Sequence, residues 1–236
     1  MIVIFASSYD TSAASLAAKW AANNASLLTC DDLSRAGWRH YLGSEETATA
    51  VVSGRVVPVA EINGVLIRWP GVFAQELTQI VDADRNYVAG EMTAFLISWL
   101  TNLSCPVINR PTPLNLTGPA WRHEQWTHAA SRLGIPVHIV HRHVGNNSNQ
   151  ERAGDLNSNP AGVTVVGERC FGTVDEDLFR QARSLAKAAD VSLLKVYFSG
   201  PEPGAFFAGM DLIPEMTDEV ADAVLELLLR ERTLNR

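Results

Sequence analysis

A chain of 236 residues that is 47% hydrophobic holds one substantial core, or one and a half, and carries a net charge of −7 with a pI near 5.3. With lysine only at Lys19, Lys187 and Lys195, it lacks the cationic footprint that a phosphate backbone demands, so no nucleic acid is expected as a partner. Cys30, Cys105 and Cys170 stand far apart without CxxC spacing, which fits free, buried thiols in a reducing cytoplasm, and the apolar start at residues 1–6 is too short for a signal-peptide core or a membrane span.

Residues 2–6 are a β-branched run that predicts a first strand, followed by a polar turn at 7–12 and an Ala-rich helix over 13–22 that ends at Asn23-Asn24. A second strand over 27–30 has Asp31 and Asp32 at its carboxyl end, completing the opening of a doubly wound α/β layer. Residues 48–52 and 55–60 read as a β-hairpin turned at Ser53-Gly54, and Asn63-Gly64 turns the chain into a third sheet strand at 65–69. From 84 to 103 the residues Val88, Met92, Phe95, Leu96, Trp99 and Leu103 recur at helical spacing, predicting the most amphipathic helix of the chain with a core-facing stripe. A strand at 106–109, a helix from Thr117-Gly118-Pro119 to Gly134 and another strand at 137–140 follow.

Residues 144–162 then hold five Asn, two Ser, three Gly and one Pro, too little apolar surface to offset the entropy of ordering, so a polar loop or linker is expected. Beyond it come a hairpin at 163–171 around Gly167-Glu168, an amphipathic helix through Leu178, Ala182, Leu185 and Ala189, extended segments at 193–198 and 205–210, and a closing helix over 220–229.

The sequence contains no GxGxxG, GxxxxGK[ST], GxSxG or HExxH, which removes the common phosphate-cradling, hydrolase and zinc-protease sites. Arg68 and Arg110 each end a predicted sheet strand beside a proline, with Asn109 adjacent, where α/β folds set their ligand clefts. An Arg fork there suits a carboxylate or a phosphate; the competing reading is an Arg paired with an internal acid. His138, His141 and His143 invite a metal reading, but in a strand only His141 and His143 share a face. Asp31 and Asp32 could meet a ribose hydroxyl, though without the glycine fingerprint.

Taken in order, Val65-Leu-Ile-Arg-Trp-Pro70, the helix with Tyr87 and Glu91, Val107-Ile-Asn-Arg-Pro111, Trp121-Arg-His-Glu-Gln125 and Ala129-Ala-Ser-Arg-Leu-Gly-Ile-Pro136 resemble the amino-terminal half of ATP-grasp ligases of the glutathione-synthetase-like and graspetide-type branch. Residues 163–172, the helix 177–189 and Phe206-Phe-Ala-Gly-Met-Asp211 with Pro214 resemble the final lobe of that family. The resemblance implies ATP-dependent carboxylate-amine ligation, in which Lys, Arg and Mg²⁺ meet the charge on a transferred phosphoryl group. The sequence departs from that pattern in three places. The family's lysine falls at Arg122 or His123, only 26 residues separate Pro136 from Val163 where the nucleotide-holding subdomain belongs, and the metal-binding Glu-x-Asn falls at Ala208 to Met210. Asp211 and Glu215 are the remaining candidates for the metal.

The expected architecture is α/β: a Rossmann-like, pre-ATP-grasp-like parallel-sheet lobe over 1–143, a polar linker over 144–162 and a smaller α+β lobe over 163–236. The expected function is a truncated, non-catalytic ATP-grasp relative that binds a peptide or small-molecule carboxylate, as an accessory to a partner ligase or in a natural-product pathway. Arg68, Asn109, Arg110, Arg122 and His123 are its binding candidates, and no cofactor is required. The alternatives are a minimal ligase using ATP and Mg²⁺, and a structural homodimer subunit.

Overall fold

A computed structural model describes residues 1–41, 47–138 and 160–234. The chain forms two compact units, the first from residues 1–120 with 215–236 and the second from residues 121–214. This partition differs from the expected boundaries at 143 and 163, because the helix that starts at His123 joins the second unit and the last helix joins the first. Most of the polar stretch 144–162, through residue 159, lies outside the described residues, as do His141 and His143.

In the first unit β1 (Ile2–Phe5) leads into α1 (Thr11–Lys19), β2 (Ala25–Leu28) and the single turn α2 (Cys30–Leu33). The hairpin β3 (Thr49–Val52) and β4 (Arg55–Pro58) precedes β5 (Gly64–Ile67), α3 (Arg85–Asn102) and β6 (Val107–Ile108). The four sheet strands run parallel in the order β2-β1-β5-β6. Every residue of β1 and β5 is buried, as expected for a parallel sheet covered on both faces. Val3, Phe5, Val65 and Ile67 share a core with Ala50 and Val52 of the hairpin and with Leu96, Trp99 and Leu100 of α3. Val88, Met92 and Phe95, expected in the buried stripe of α3, are only partly buried at the margin of that core.

Asp32 is the polar anchor of this layer. It is 4% exposed, and its carboxylate accepts from the amides of Thr29 and Ser53, both at 3.1 Å, and of Gly54 at 2.7 Å. Those contacts tie the β3–β4 turn, where Ser53 and Gly54 adopt φ of 49° and 73°, to the end of β2. The carboxylate is thereby engaged with backbone, which accounts for Asp32 without a ribose ligand.

The second unit begins with α4 (His123–Arg132), shorter than the predicted helix from 117. Gly118 at φ 121° and Pro119 hold the preceding chain out of helical geometry, and Gln125 Oε1 accepts the Arg122 amide at 2.8 Å at the true start. Next come β7 (Ala161–Val166), β8 (Arg169–Phe171), α5 (Glu176–Ala188), β9 (Leu193–Phe198) and β10 (Phe207–Asp211). The strands form an antiparallel sheet in the order β10-β9-β7-β8. Val163, Val165, Leu194, Val196 and Phe198 pack from one sheet face against Leu178, Ala182 and Leu185 of α5 and Trp126 and Ala130 of α4. The separation of apolar and polar faces is sharper in α5 than in α3, reversing the expectation. Val137 makes a parallel bridge to Phe207, at the start of the predicted strand 137–140; residues 139 and 140 lie outside the described residues.

The last helix, α6 (Asp218–Leu234), returns to the first unit, where Leu228 lies so close to Gly64 that a Cβ there would sit 3.1 Å from its Cδ2. Lys19 of α1 pairs with Asp218 at 2.8 Å and Asp222 at 2.9 Å, fastening the start of α6 to α1. No helix among the described residues is long and apolar enough to cross a membrane.

Replacing Asp32 with Ala strands the amides of Thr29 and Gly54, while that of Ser53 keeps the Leu27 carbonyl at 3.1 Å. Asp32→Ala is expected to lower stability by about 3 kcal/mol, seen as a lower urea midpoint at unchanged slope. A midpoint within error of the unaltered protein would show that the carboxylate does not anchor the hairpin.

Candidate functional site

The carboxyl ends of the parallel strands gather Ser7, Cys30, Arg68 and Asn109 in the first unit. Arg68 Nε donates to Asp10 Oδ2 at 2.9 Å, with the two side chains only 8% and 18% exposed. Asp10 Oδ1 meanwhile accepts the Ala13 amide at 2.9 Å and caps α1. A helix start that elsewhere seats an anion is therefore filled by the protein's own carboxylate. Asn109 is 2% exposed and donates from Nδ2 to the Thr117 carbonyl at 3.2 Å, holding the loop after β6, while Arg110 points into exposed surroundings.

Beside them, the Ser7 hydroxyl donates to Glu76 Oε1, and Glu76 Oε2 is buried with no hydrogen-bond partner among the described residues. The Cys30 thiol, 3% exposed, is pushed up to about 12, first by burial and then by the Glu76 carboxylate. Such a thiol is neutral at physiological pH and a poor nucleophile. Because it titrates higher when folded, its stabilising contribution is complete below the ordinary value of 9.0 and disappears as pH rises toward about 12. In native protein at pH 8, iodoacetamide should label Cys30 last of the three cysteines. Labelling of Cys30 first, followed by peptide mass spectrometry, would contradict this environment.

The remaining candidates divide between the units. Arg122 is exposed at the start of α4, and His123 stacks on Phe207 with centroids 6.1 Å apart. His138 tilts over Phe206 at 5.8 Å. Asp211 ends β10 in the second unit, its Oδ1 accepting the Ile213 amide at 2.8 Å, while Glu215 belongs to the first unit. Among the described residues no group of three or more His, Cys, Asp or Glu is placed to hold a metal ion.

Lys195 and Tyr197, which the sequence reading passed over, lie with the metal candidate Asp211 on the face of the second sheet away from its helices. Register aligns Asp211, Lys195, Thr164 and Phe171 across the four strands, and Gly209, Tyr197 and Gly162 in the next row. The Lys195 ammonium lies 5.3 Å from the centre of the Tyr197 ring and meets no acid within ion-pair distance among the described residues. A Cβ at residue 162 would lie 2.8 Å from Lys195 Cε, so the glycine opens the path of the lysine stem. Alternation in Leu193-Leu-Lys-Val-Tyr-Phe198 is the signal that could have found it, since Lys195 and Tyr197 fall on the face opposite buried Leu194, Val196 and Phe198. An ammonium over an aromatic ring beside a carboxylate can bind an anion, with the acid left for a cation. Gly162→Ala is expected to displace the Lys195 stem and move the Tyr197 ring-proton resonances at a stability cost below about 1 kcal/mol. Unmoved resonances would mean that the glycine does not set the position of the lysine.

No family model matches the sequence, and no curated protein matches it. Solved structures do. Macrocyclase MdnC from Microcystis aeruginosa MRC, bound with precursor peptide MdnA, superposes with a TM-score of 0.68 at 12% identity, over 98% of this chain and 100% of that one. A RiPP-associated ATP-grasp ligase from Chryseobacterium gregarium, in complex with ADP and a leader and core peptide, gives 0.65 at 10% identity, over 98% and 96%. The ATP-grasp ligase PsnB, complexed with minimal precursor, Mg and ADP, gives 0.62 at 12% identity, over 99% and 97%. The likeness is one of fold: this chain has an ATP-grasp-like α/β fold.

Proposed function

We propose that this chain is a peptide-binding accessory protein of the ATP-grasp fold, working in the cytoplasm in a peptide-modifying ligase pathway and gripping a peptide or amino-acid-like carboxylate without turning over ATP. The observation that carries this reading is the likeness of fold, over nearly the full length of both chains, to ligases crystallised with precursor peptides. Two features support binding over catalysis. Arg68 is engaged by Asp10, and the position at which the family resemblance places a lysine is taken by Arg122 or His123, the latter stacked on Phe207. On this reading the polar stretch 144–162 stands in place of the nucleotide-holding subdomain that the resemblance implies.

A second reading, a minimal ATP-dependent carboxylate-amine ligase, draws on the row of Asp211, Lys195 and Thr164. Lys195 would meet a phosphate, and Asp211 would offer carboxylate oxygen to Mg²⁺, a cation that proteins bind through one or two carboxylates together with substrate phosphates. PsnB holds ADP with Mg in one structure and AMPPNP in another. When bound, the nucleotide would supply the activation of a carboxylate as an acyl phosphate.

Thermal-shift titration separates the two readings, because a ligand held only by the native state raises the unfolding midpoint. The expected result is no rise with millimolar Mg·ATP, together with retention of the protein on an array of defined immobilised decapeptides. A rise with Mg·ATP that disappears in Lys195→Ala or Arg122→Ala would replace the accessory role with the ligase. Failure to bind any peptide on the array would remove the peptide-binding role.

A further inference from the structure

α3 carries apolar residues around most of its circumference, yet only Ala89, Leu96, Trp99 and Leu100 are buried, so part of its surface in the first unit stays exposed. Beside the exposed part runs a groove of about 460 Å³, within the size range of binding pockets, between the helix and the segment 72–75. Phe73 and Ile97 form apolar walls, and the ring of Phe73, a residue 47% exposed, is braced by that of Trp69 at 5.7 Å. Thr93 ties the two sides together: its hydroxyl donates to the Ala89 carbonyl at 2.8 Å and accepts the Val72 amide at 3.0 Å. The groove is therefore built before any ligand arrives.

Three features of the lining point outward. Gly90, exposed in the body of α3, weakens the helix relative to alanine, and a Cβ there would meet nothing within 4 Å beyond the helix's own backbone among the described residues. Its missing side chain serves no contact of the described chain, and it leaves room for another molecule to approach the helix closely. No lining residue is charged, in a chain of net −7, so an ionic ligand finds no counter-charge there. Asn86 and Gln75, both exposed, make no hydrogen bond from their side chains among the described residues. A carboxamide donates and accepts like a peptide group, and an extended segment outside a sheet brings its own N–H and C=O groups unpaired, as a helix does not. Asn86 is one turn from Gly90, about 6 Å at about 1.5 Å per residue, which an extended chain covers in about two residues.

We propose that this groove takes an extended, uncharged peptide segment, seating a large apolar side chain over Gly90 between Phe73 and Ile97 while Asn86 and Gln75 hold its main chain. The proposal rests on the peptide-binding reading above and names the kind of segment that is gripped. It moves recognition away from the strand ends, where Arg68 and Asn109 are already engaged by the protein.

The test uses the full chain and two fluorescein-labelled peptides with amidated ends, Gly-Ala-Phe-Ala-Gly and Gly-Ala-Glu-Ala-Gly, followed by fluorescence anisotropy. Saturable binding of the first is expected, with the second bound about tenfold or more weakly because its charge meets no partner. Gly90→Leu fills the floor, so it should raise the urea midpoint, as leucine favours a helix, and yet weaken binding about tenfold or more. That combination separates loss of the groove from loss of the fold. N-methylation of both alanine amides should weaken binding to the unaltered protein about fivefold and have no such effect on the variant carrying Gln75→Ala and Asn86→Ala, which serves if Gly90→Leu does not fold. Absence of saturable binding, equal binding of the two peptides, undiminished binding by Gly90→Leu, or the same loss on N-methylation in both proteins overturns the proposal. Undiminished retention of Gly90→Leu on the decapeptide array removes this groove but leaves the peptide-binding role standing; no array binding by the unaltered protein removes both. A dimer in light scattering that Gly90→Leu dissociates and the peptide does not displace assigns the face to a second copy, and that also overturns the proposal.

Discussion

Asp10 serves a strand-end arginine with one carboxylate oxygen and a helix start with the other, and the carboxyl end of the first unit's sheet is arranged around that division. Losing the carboxylate would take one hydrogen-bonded partner from a guanidinium that is 8% exposed, a loss of about 1.5–3 kcal/mol for a bond between charged groups, and would remove a cap that contributes about 1 kcal/mol. The pair therefore fixes the direction of the loop between β1 and α1, and with it the placement of Ser7 against Glu76. It also sets the chemical character of the region. Where many α/β proteins leave a helix start open to an anion, this one supplies its own.

Much of the fold is legible in the sequence because burial on both sides of a parallel sheet leaves unbroken apolar runs. Ile2-Val-Ile-Phe5 and Val65-Leu-Ile67 are such runs, and Ser53-Gly54 is a turn that both left-handed φ values require. The errors have local causes. The helix expected from Thr117 starts at His123 because Gly118 takes a conformation no helix tolerates, and a Thr-Gly-Pro start signal does not reveal that φ. In α3 the apolar residues wrap more of the circumference than one stripe, so periodicity alone placed Val88, Met92 and Phe95 deeper than they are. The membership of the last helix was not readable at all, since it depends on Leu228 meeting the sheet near Gly64, a contact between distant parts of the chain.

The site was less legible than the fold, for a related reason. Arg68 and Asn109 were correctly placed at strand ends, but whether such a residue is available depends on its partners, and Asp10 and Thr117 are supplied by loops whose course the sequence does not state. Lys195 was overlooked because a single lysine in an apolar strand carries no motif. Its meaning comes from register, which brings Thr164 to one side and Asp211 to the other, and from the glycine whose missing side chain gives it room. Asp211 and Glu215 are near in sequence yet are assigned to different compact units.

The return of α6 to the first unit has a consequence for how the protein is made. Residues 121–214 are an insertion within a unit whose sheet is packed by α6, a helix synthesised after them. Translation proceeds from the amino terminus and domains generally fold as units, so the second unit can complete its own core while the first still lacks α6. The unit begun before residue 121 is completed only after residue 214, and until then Gly64 and its neighbours await Leu228 with apolar surface uncovered. A chain stalled before α6 would therefore leave uncovered the strands made before the second unit began.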